Sequence, residues 1–361
     1  MIDSPSRRAL LGRVAGAAAL GLPLGGMARP TAVPSASPFD GAAICRAAVD
    51  GGPAAAAAPG PRRKLTLTWN ANAVCTVGVP VAATRGIFER HNLDVELVNF
   101  GGSTDQLLEA IATGKADAGV GMALRWLKPM EQGFDVKITT AIHGGCMRLF
   151  VKPDGGVSTI ADLKGKTLGC SDMAAPDKNF FSIVAAKQGL DPDRDITWRQ
   201  FPADLLGEAL KRGDVQGFAL GDPLAWIVRE RDGLKELANN LDGEWANRSC
   251  CILGVRGSLV RQDRSAARAI TASLLEAQDW VHADPDAAAE IFAPYARAPV
   301  VALAAMLRSH THGHHPAGSA LRFELAAYID ELKAVRVMRP NTDPLRLSER
   351  IFADVLSGGP A

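Results

Sequence analysis

The residues of this 361-residue chain best suited to chemistry are its histidines and cysteines. His310, His312, His314 and His315 crowd into Ser309-His310-Thr311-His312-Gly313-His314-His315-Pro316, a density of imidazoles able to bind zinc, copper or nickel. Gly313 and Pro316 also mark this run as a loop between helices, where polar stretches are tolerated, so no metal site is assigned to it. Of the 6 cysteines, Cys75, Cys146 and Cys170 fall near predicted strand ends together with Met122 and Met173, a soft-donor set if they converge. The adjacent Cys250 and Cys251 read as small buried hydrophobes. In an oxidising compartment some thiols should pair, but spacing does not give connectivity. Enzyme signatures are missing: no G-x-S-x-G elbow, no phosphate loop, no H-E-x-x-H and no C-x-x-C. The chain is therefore read as a non-enzyme, with no catalytic residue and no cofactor.

A second set of candidates consists of polar or small residues at strand ends. A site for a small solute needs such groups from two bodies at one gap. The first body would offer Trp69 and Asn72 after one strand, Gly101-Gly102-Ser103 after the next, then Met122, then His143-Gly144-Gly145-Cys146. The second would offer Asp172, Met173, Asp177 and Asn179 after its first strand, and Asp222 after a later one. Backbone N–H groups at the helix starts Ser103–Asp105 and Ala174–Asp177 suit an anion. His143 sits between strand ends rather than on an apolar helical face, which favours contact with ligand. Basic side chains near this gap are few, namely Arg125, Arg148 and Lys178, so a doubly charged anion is not demanded.

These residues are positioned by strands that alternate with helices. Lys64–Trp69, Leu93–Phe100 and Ala116–Gly121 read as strands, and Pro80–His91, Thr104–Thr113 and Leu124–Glu131 as helices, with Ser103 an N-cap. Lys137–Ile142 and Met147–Lys152 are two further strand-like runs parted by His143-Gly144-Gly145-Cys146, where glycines let another body approach the backbone closely. Pro153 cannot donate to a central ladder, so the chain is expected to leave its first sheet there. Thr167–Cys170, Ile196–Phe201 and Val215–Leu220 then read as strands of a second body, Ala175–Gln188 and Asp204–Lys211 as its helices. Cys250–Val255 reads as the returning strand, followed by helices over 264–282, 286–292, 300–308, 320–335 and 344–356. The pattern implies parallel sheets with helical crossovers and ligand groups at the carboxyl ends of the strands.

Several short motifs resemble one family. His143-Gly144-Gly145-Cys146 precedes Ile160-Ala161-Asp162-Leu163-Lys164-Gly165-Lys166-Thr167-Leu168-Gly169, and Arg85-Gly86-Ile87-Phe88-Glu89 precedes Leu93-Asp94-Val95-Glu96-Leu97. Gly101-Gly102-Ser103, Ala112-Thr113-Gly114-Lys115-Ala116-Asp117, Asp222-Pro223 and Pro340-Asn341-Thr342-Asp343-Pro344 follow in order. Over about Lys64 to Leu356 this order is similar to that of the periplasmic substrate-binding proteins of ABC importers, within the nitrate/sulfonate/taurine/bicarbonate group. Cys250-Cys251 also resembles a cysteine pair common at the return strand of that family. The resemblance implies an α/β, two-lobed periplasmic-binding-protein fold of type II, each lobe a mainly parallel sheet flanked by helices, with a helical C-terminal region. It assigns 64–152 and 250–361 to lobe 1 and 153–249 to lobe 2. It implies capture of a small, anionic solute between the lobes and delivery to an inner-membrane permease by a monomeric protein. A metal-carrying protein using the Cys, Met and His groups is the alternative, or a pyrimidine-precursor synthesis enzyme on the same fold.

The first 28 residues carry Ser6-Arg7-Arg8-Ala9-Leu10-Leu11, a weakly apolar stretch from Val14 to Leu24, and Gly26-Met27-Ala28 as a small-x-small cleavage site. They read as a signal for the twin-arginine translocase and hence for the periplasm. Residues 29–63, rich in Ala and Pro, read as a disordered linker. With 40 Lys+Arg against 39 Asp+Glu, the chain shows no nucleic-acid footprint.

Overall fold

The structure, a computed structural model, describes residues 61–100 and 104–357. The twin-arginine segment, the linker up to residue 60, and Gly101, Gly102 and Ser103 lie outside the described residues. The first lobe begins with β1 (Arg63–Trp69), whose Leu65, Leu67 and Trp69 turn inward at every second position. The single helix expected over 80–91 is two, α1 (Gly78–Thr84) and α2 (Ile87–Arg90). Gly86 separates them at a φ of 65°, a left-handed conformation that breaks the helical ladder. Next come β2 (Leu93–Asn99), α3 (Thr104–Ala112), β3 (Ala118–Met122), α4 (Ala123–Glu131) and β4 (Val136–His143).

The second lobe holds β5 (Met147–Val151), β6 (Lys166–Cys170), α5 (Pro176–Lys187), β7 (Ile196–Gln200) and α6 (Leu206–Arg212), then β8 (Gly217–Gly221), α7 (Leu224–Asp232) and β9 (Lys235–Asn239). The chain returns through β10 (Cys251–Arg256) and ends in α8 (Gly257–Gln262), α9 (Arg264–Ala283), α10 (Pro285–Ala296), α11 (Val300–Ser309), α12 (Gly318–Ala334) and α13 (Pro344–Ile351). Among the described helices, none is long and apolar enough to cross a membrane.

The two five-stranded sheets run β2-β1-β3-β10-β4 and β7-β6-β8-β5-β9. Both are mixed rather than parallel throughout. In the first, β10 alone runs against its neighbours β3 and β4; in the second, β5 alone runs against β8 and β9. The reversal follows from the connectivity. The other strands end at the gap between the lobes, so a chain that crosses the gap must start its next strand there and run away from it. β5 and β10 are the two strands that follow a crossing. The first crossing is made at Gly144-Gly145-Cys146, and β5 pairs in the second sheet, so 147–152 belongs with the second lobe rather than the first. Pro153 ends the first strand of the new sheet, not the last of the old one.

The first lobe's core is pinned by Trp126 of α4, fully buried over the sheet. A Cβ at Gly121 on β3 would lie 2.1 Å from its ring, and one at Gly254 on β10 would lie 2.8 Å away. The glycines are needed because the indole lies flat on the backbone there. In the second lobe, Phe150 of β5 and Phe218 of β8 pack with ring centres 5.4 Å apart, tilted by 56°, in one cluster with Leu206 and Leu210 of α6.

Candidate functional site

Because β1, β3, β6 and β8 all end at the gap, the residues that follow them line a cleft of about 700 Å³. From the first lobe come Asn70, Asn72 and Ala73 after β1, Asp105 on α3, Met122 ending β3, and Arg125 on α4. Cys146 lines it from the crossing. From the second come Ser171, Asp172 and Asp177 after β6, and Gly221, Asp222 and Pro223 after β8, while Arg297 closes one side from the end of α10.

Of the positions singled out in the sequence, Asn72, Met122, Cys146, Asp172, Asp177 and Asp222 thus meet in one cleft. Trp69 does not: it is 2% exposed and packs edge-on against Tyr295 at 5.1 Å. Asn179 turns away and donates through Nδ2 to the Leu124 carbonyl, 3.2 Å across to the first lobe. Met173 is exposed beside Cys170, sulfur to sulfur 3.8 Å. Gly144 and Gly145 do serve a close approach, but to the chain itself. A Cβ on Gly145 would sit 2.0 Å from the Asn240 carbonyl oxygen, and one on Gly144 2.9 Å from that of Thr311. Substituting Gly145 would therefore damage the crossing itself.

His143 is completely buried behind the cleft rather than in it. It stacks edge-on with His310 and His312 at 5.3 and 4.9 Å, because the loop joining α11 and α12 folds back onto the crossing. The imidazole run of the sequence is thereby split. His310 and His312 join His143, while His314 stands 3.9 Å from Glu324 on the outside. Burial and the neighbouring rings push His143 far below the usual imidazole range and His312 down to about 3, which keeps both neutral.

Charges around the cleft are paired with care. Arg125 donates from Nε to Asp105 at 2.7 Å and from Nη1 to Asp172 at 2.9 Å, tying the first lobe to the second. Asp222 is buried and accepts from Arg148 Nε at 3.0 Å, from the Trp226 backbone N–H at 3.0 Å and from His310 Nε2 at 2.8 Å. Burial opposes its charge, but His310 and Arg148 outweigh that and hold its pKa below the usual range. Asp177 has no such help. Among the described residues it makes no ion pair, and burial raises its pKa to about 6. The start of α5, expected to offer free N–H groups to an anion, is already served by carboxylates: Asp172 takes the Ala174 N–H at 2.7 Å and Asp177 that of Lys178 at 2.9 Å.

The cysteines converge differently from expectation. Cys75 and Cys251 approach to 2.8 Å and Cys146 and Cys250 to 3.8 Å, all buried under the crossings, with Cys170 apart. The sequence reading passed over Asn70 and Ser171, although each directly follows a strand it placed, and it had no means of finding Arg297. Arg125 it named as nearby, without its part in joining the lobes.

The profile of the NMT1-like family matches residues 58–294. The chain belongs to the NMT1-like family. The nitrate import ATP-binding protein NrtC of Synechocystis sp. is 27% identical over 223 residues, 55% of this chain and 32% of that protein. The chain spans between about a third and two thirds of the length of the curated relatives it matches. Among solved structures, the periplasmic aliphatic sulphonate binding protein SsuA of Escherichia coli superposes with a TM-score of 0.70 at 17% identity, covering 83% of this chain and 95% of that one. The periplasmic nitrate-binding protein NrtA of Synechocystis gives 0.67 at 13%, covering 82% and 87%. This NMT1-like chain therefore has the periplasmic-binding-protein fold, two mixed sheets flanked by helices.

Proposed function

We propose that this protein is the solute-capturing component of an ABC importer: it closes two lobes on a small solute in the periplasm and delivers it to an inner-membrane permease. Kinship with nitrate and sulfonate binders supports the class, and the cleft at the strand ends is the observation that carries it. The chemistry of the lining narrows the solute. Its volume of about 700 Å³ falls in the range used for organic ligands, roughly 300–1,000 Å³, and exceeds what a bare oxyanion fills. The anionic end of a solute would meet Arg297, since Arg125 is already engaged by Asp105 and Asp172, while Asp177, buried and without an ion pair among the described residues, would accept a protonated amine. A taurine-like aminosulfonate satisfies both ends. The test is a thermal-shift and calorimetric comparison of taurine, alkanesulfonates, nitrate, nitrite and bicarbonate. Taurine-like zwitterions should raise the melting midpoint with concentration, and alkanesulfonates less so. A response to none of them would reject this solute class.

Export through the twin-arginine translocase is part of the same proposal. It rests on Arg7-Arg8 before a weakly apolar stretch. Replacing both arginines with lysine should leave uncleaved precursor in the cytoplasm, and an unchanged periplasmic yield would exclude this route.

A further inference from the structure

We propose that His143, His310 and His312 form a three-imidazole site for a borderline divalent transition metal, Zn²⁺ in the first instance, at the hinge between the lobes. One ring nitrogen from each of the three lies within 4.8 Å of the others, and all three residues are buried, at 0%, 7% and 2% exposure. Their hydrogen bonds fix what each ring offers. His143 Nδ1 faces the Gly144 carbonyl at 2.9 Å, His312 Nε2 the Leu307 carbonyl at 2.8 Å, and His310 Nε2 the Asp222 carboxylate at 2.8 Å. Each of these partners can only accept, so each ring presents an N–H there, and a ring in its neutral form keeps a lone pair on the other nitrogen. Those other nitrogens, His143 Nε2, His310 Nδ1 and His312 Nδ1, are buried and have no hydrogen-bond partner among the described residues. Three buried, unsatisfied lone pairs in one cluster are costly without a shared acceptor of electron pairs.

The outer contacts have the form found around bound metals, where a ligating imidazole donates its second N–H to a carbonyl or carboxylate that fixes its tautomer. Imidazole donors suit Zn²⁺, Cu²⁺ and Ni²⁺ better than Mg²⁺ or Ca²⁺. Zn–N bonds of about 2.0–2.1 Å put tetrahedral or trigonal donors roughly 3.3–3.6 Å apart, so one nitrogen of each ring, now within 4.8 Å of the others, needs to close by no more than about 1.5 Å. The buried Asp222 carboxylate offsets part of the ion's charge through His310. The position gives the site consequence. It joins the end of β4 to the loop after α11 and, through Asp222, to the end of β8 in the other lobe, where Asp222 also lines the cleft.

The experiment uses the full mature protein, stripped with a chelator and titrated with Zn²⁺ by calorimetry, with metal content measured after gel filtration. One equivalent should bind and raise the melting midpoint. His143→Gln and His312→Gln should each weaken binding by more than the roughly 10- to 100-fold that loss of a supporting partner costs, whereas His314→Gln should bind like the parent. Circular dichroism of the metal-free variants checks that they fold. Co²⁺ added to the unaltered protein gives a second readout that needs no variant: tetrahedral d–d bands without thiolate charge transfer. A strong thiolate band would move the site to the cysteines and overturn the proposal. So would absence of Zn²⁺ binding, or binding that survives both substitutions.

Discussion

Asp177 is a carboxylate held against its chemistry: buried at the mouth of α5, it faces the cleft with only backbone N–H groups of its own helix start for support among the described residues. Its pKa rises from 3.8 to about 6 because burial penalises the charged form. The folded state therefore binds this proton more tightly than the unfolded state, and stability falls as pH rises through roughly 4 to 6 before levelling off. That shift corresponds to about 3 kcal/mol. Asp177→Asn should remove this fall, leaving the variant more stable than the parent at pH 7.5 but not at pH 4, as read from urea midpoints at both. Parallel stability profiles for parent and variant would contradict the assignment. The variant should also lose affinity for amine-bearing solutes while keeping any affinity for simple sulfonates. Sequence could place Asp177 at the start of a helix after a strand, and likewise Asn72, Met122 and Asp222 at strand ends. It could not show which strand-end residues the crossing buries. His143 was misjudged for that reason: the loop that covers it lies far along the chain, and nothing local to His143 announces it.

At the scale of elements, what could be read locally was read well. Alternation located β1, strand-like apolar runs located β2 and β4, and helical stretches located α3, α5, α9 and α12, with the N-cap Ser103 and the stop at Gly189 marking two of their ends. β9 escaped because its Lys-Glu-Leu-Ala-Asn sequence is polar, and all five residues are half-buried at a sheet edge with no alternation. The direction of β5 and β10 was equally hidden, since strand polarity depends on where the chain has crossed rather than on any side chain. Packing between elements gives a sharp test at Gly121. A methyl there would meet Trp126 at 2.1 Å, and the indole, fully buried and also pressed on Gly254, has nowhere to retreat. Gly121→Ala should cost at least about 1–3 kcal/mol by overpacking, seen as a lower denaturation midpoint with an unchanged slope. An unaltered midpoint would mean that the indole does not lie on β3.

For the whole molecule, the question is what holds the two lobes together over the cleft. Arg125 is the charged link at its rim, shared between Asp105 on its own lobe and Asp172 on the other. Two neutral contacts accompany it: the Val74 N–H donates to the Asp222 carbonyl at 3.2 Å, and Asn179 donates to the Leu124 carbonyl at 3.2 Å. Hinge closure of this kind couples to a solute only if the solute adds contacts to both lobes, so a pre-existing link shifts the balance toward the binding-competent form. The Arg125–Asp172 pair is half open to solvent on the aspartate side, which limits its worth to about 1 kcal/mol, or roughly fivefold in solute affinity. Arg125→Ala should accordingly raise the radius of gyration of the solute-free protein in small-angle scattering and weaken binding by about that factor. Asp172→Asn should reproduce the effect, because it removes the partner on the second lobe, whereas Asp105→Asn should leave the lobes linked. Added salt should weaken binding by the parent more than by Arg125→Ala. If Arg125→Ala and Asp172→Asn both scatter and bind like the parent, closure rests instead on the two neutral contacts, the buried hinge and the ion pairs away from the cleft rim, Lys187–Glu331 and Arg336 with Asp191 and Asp193.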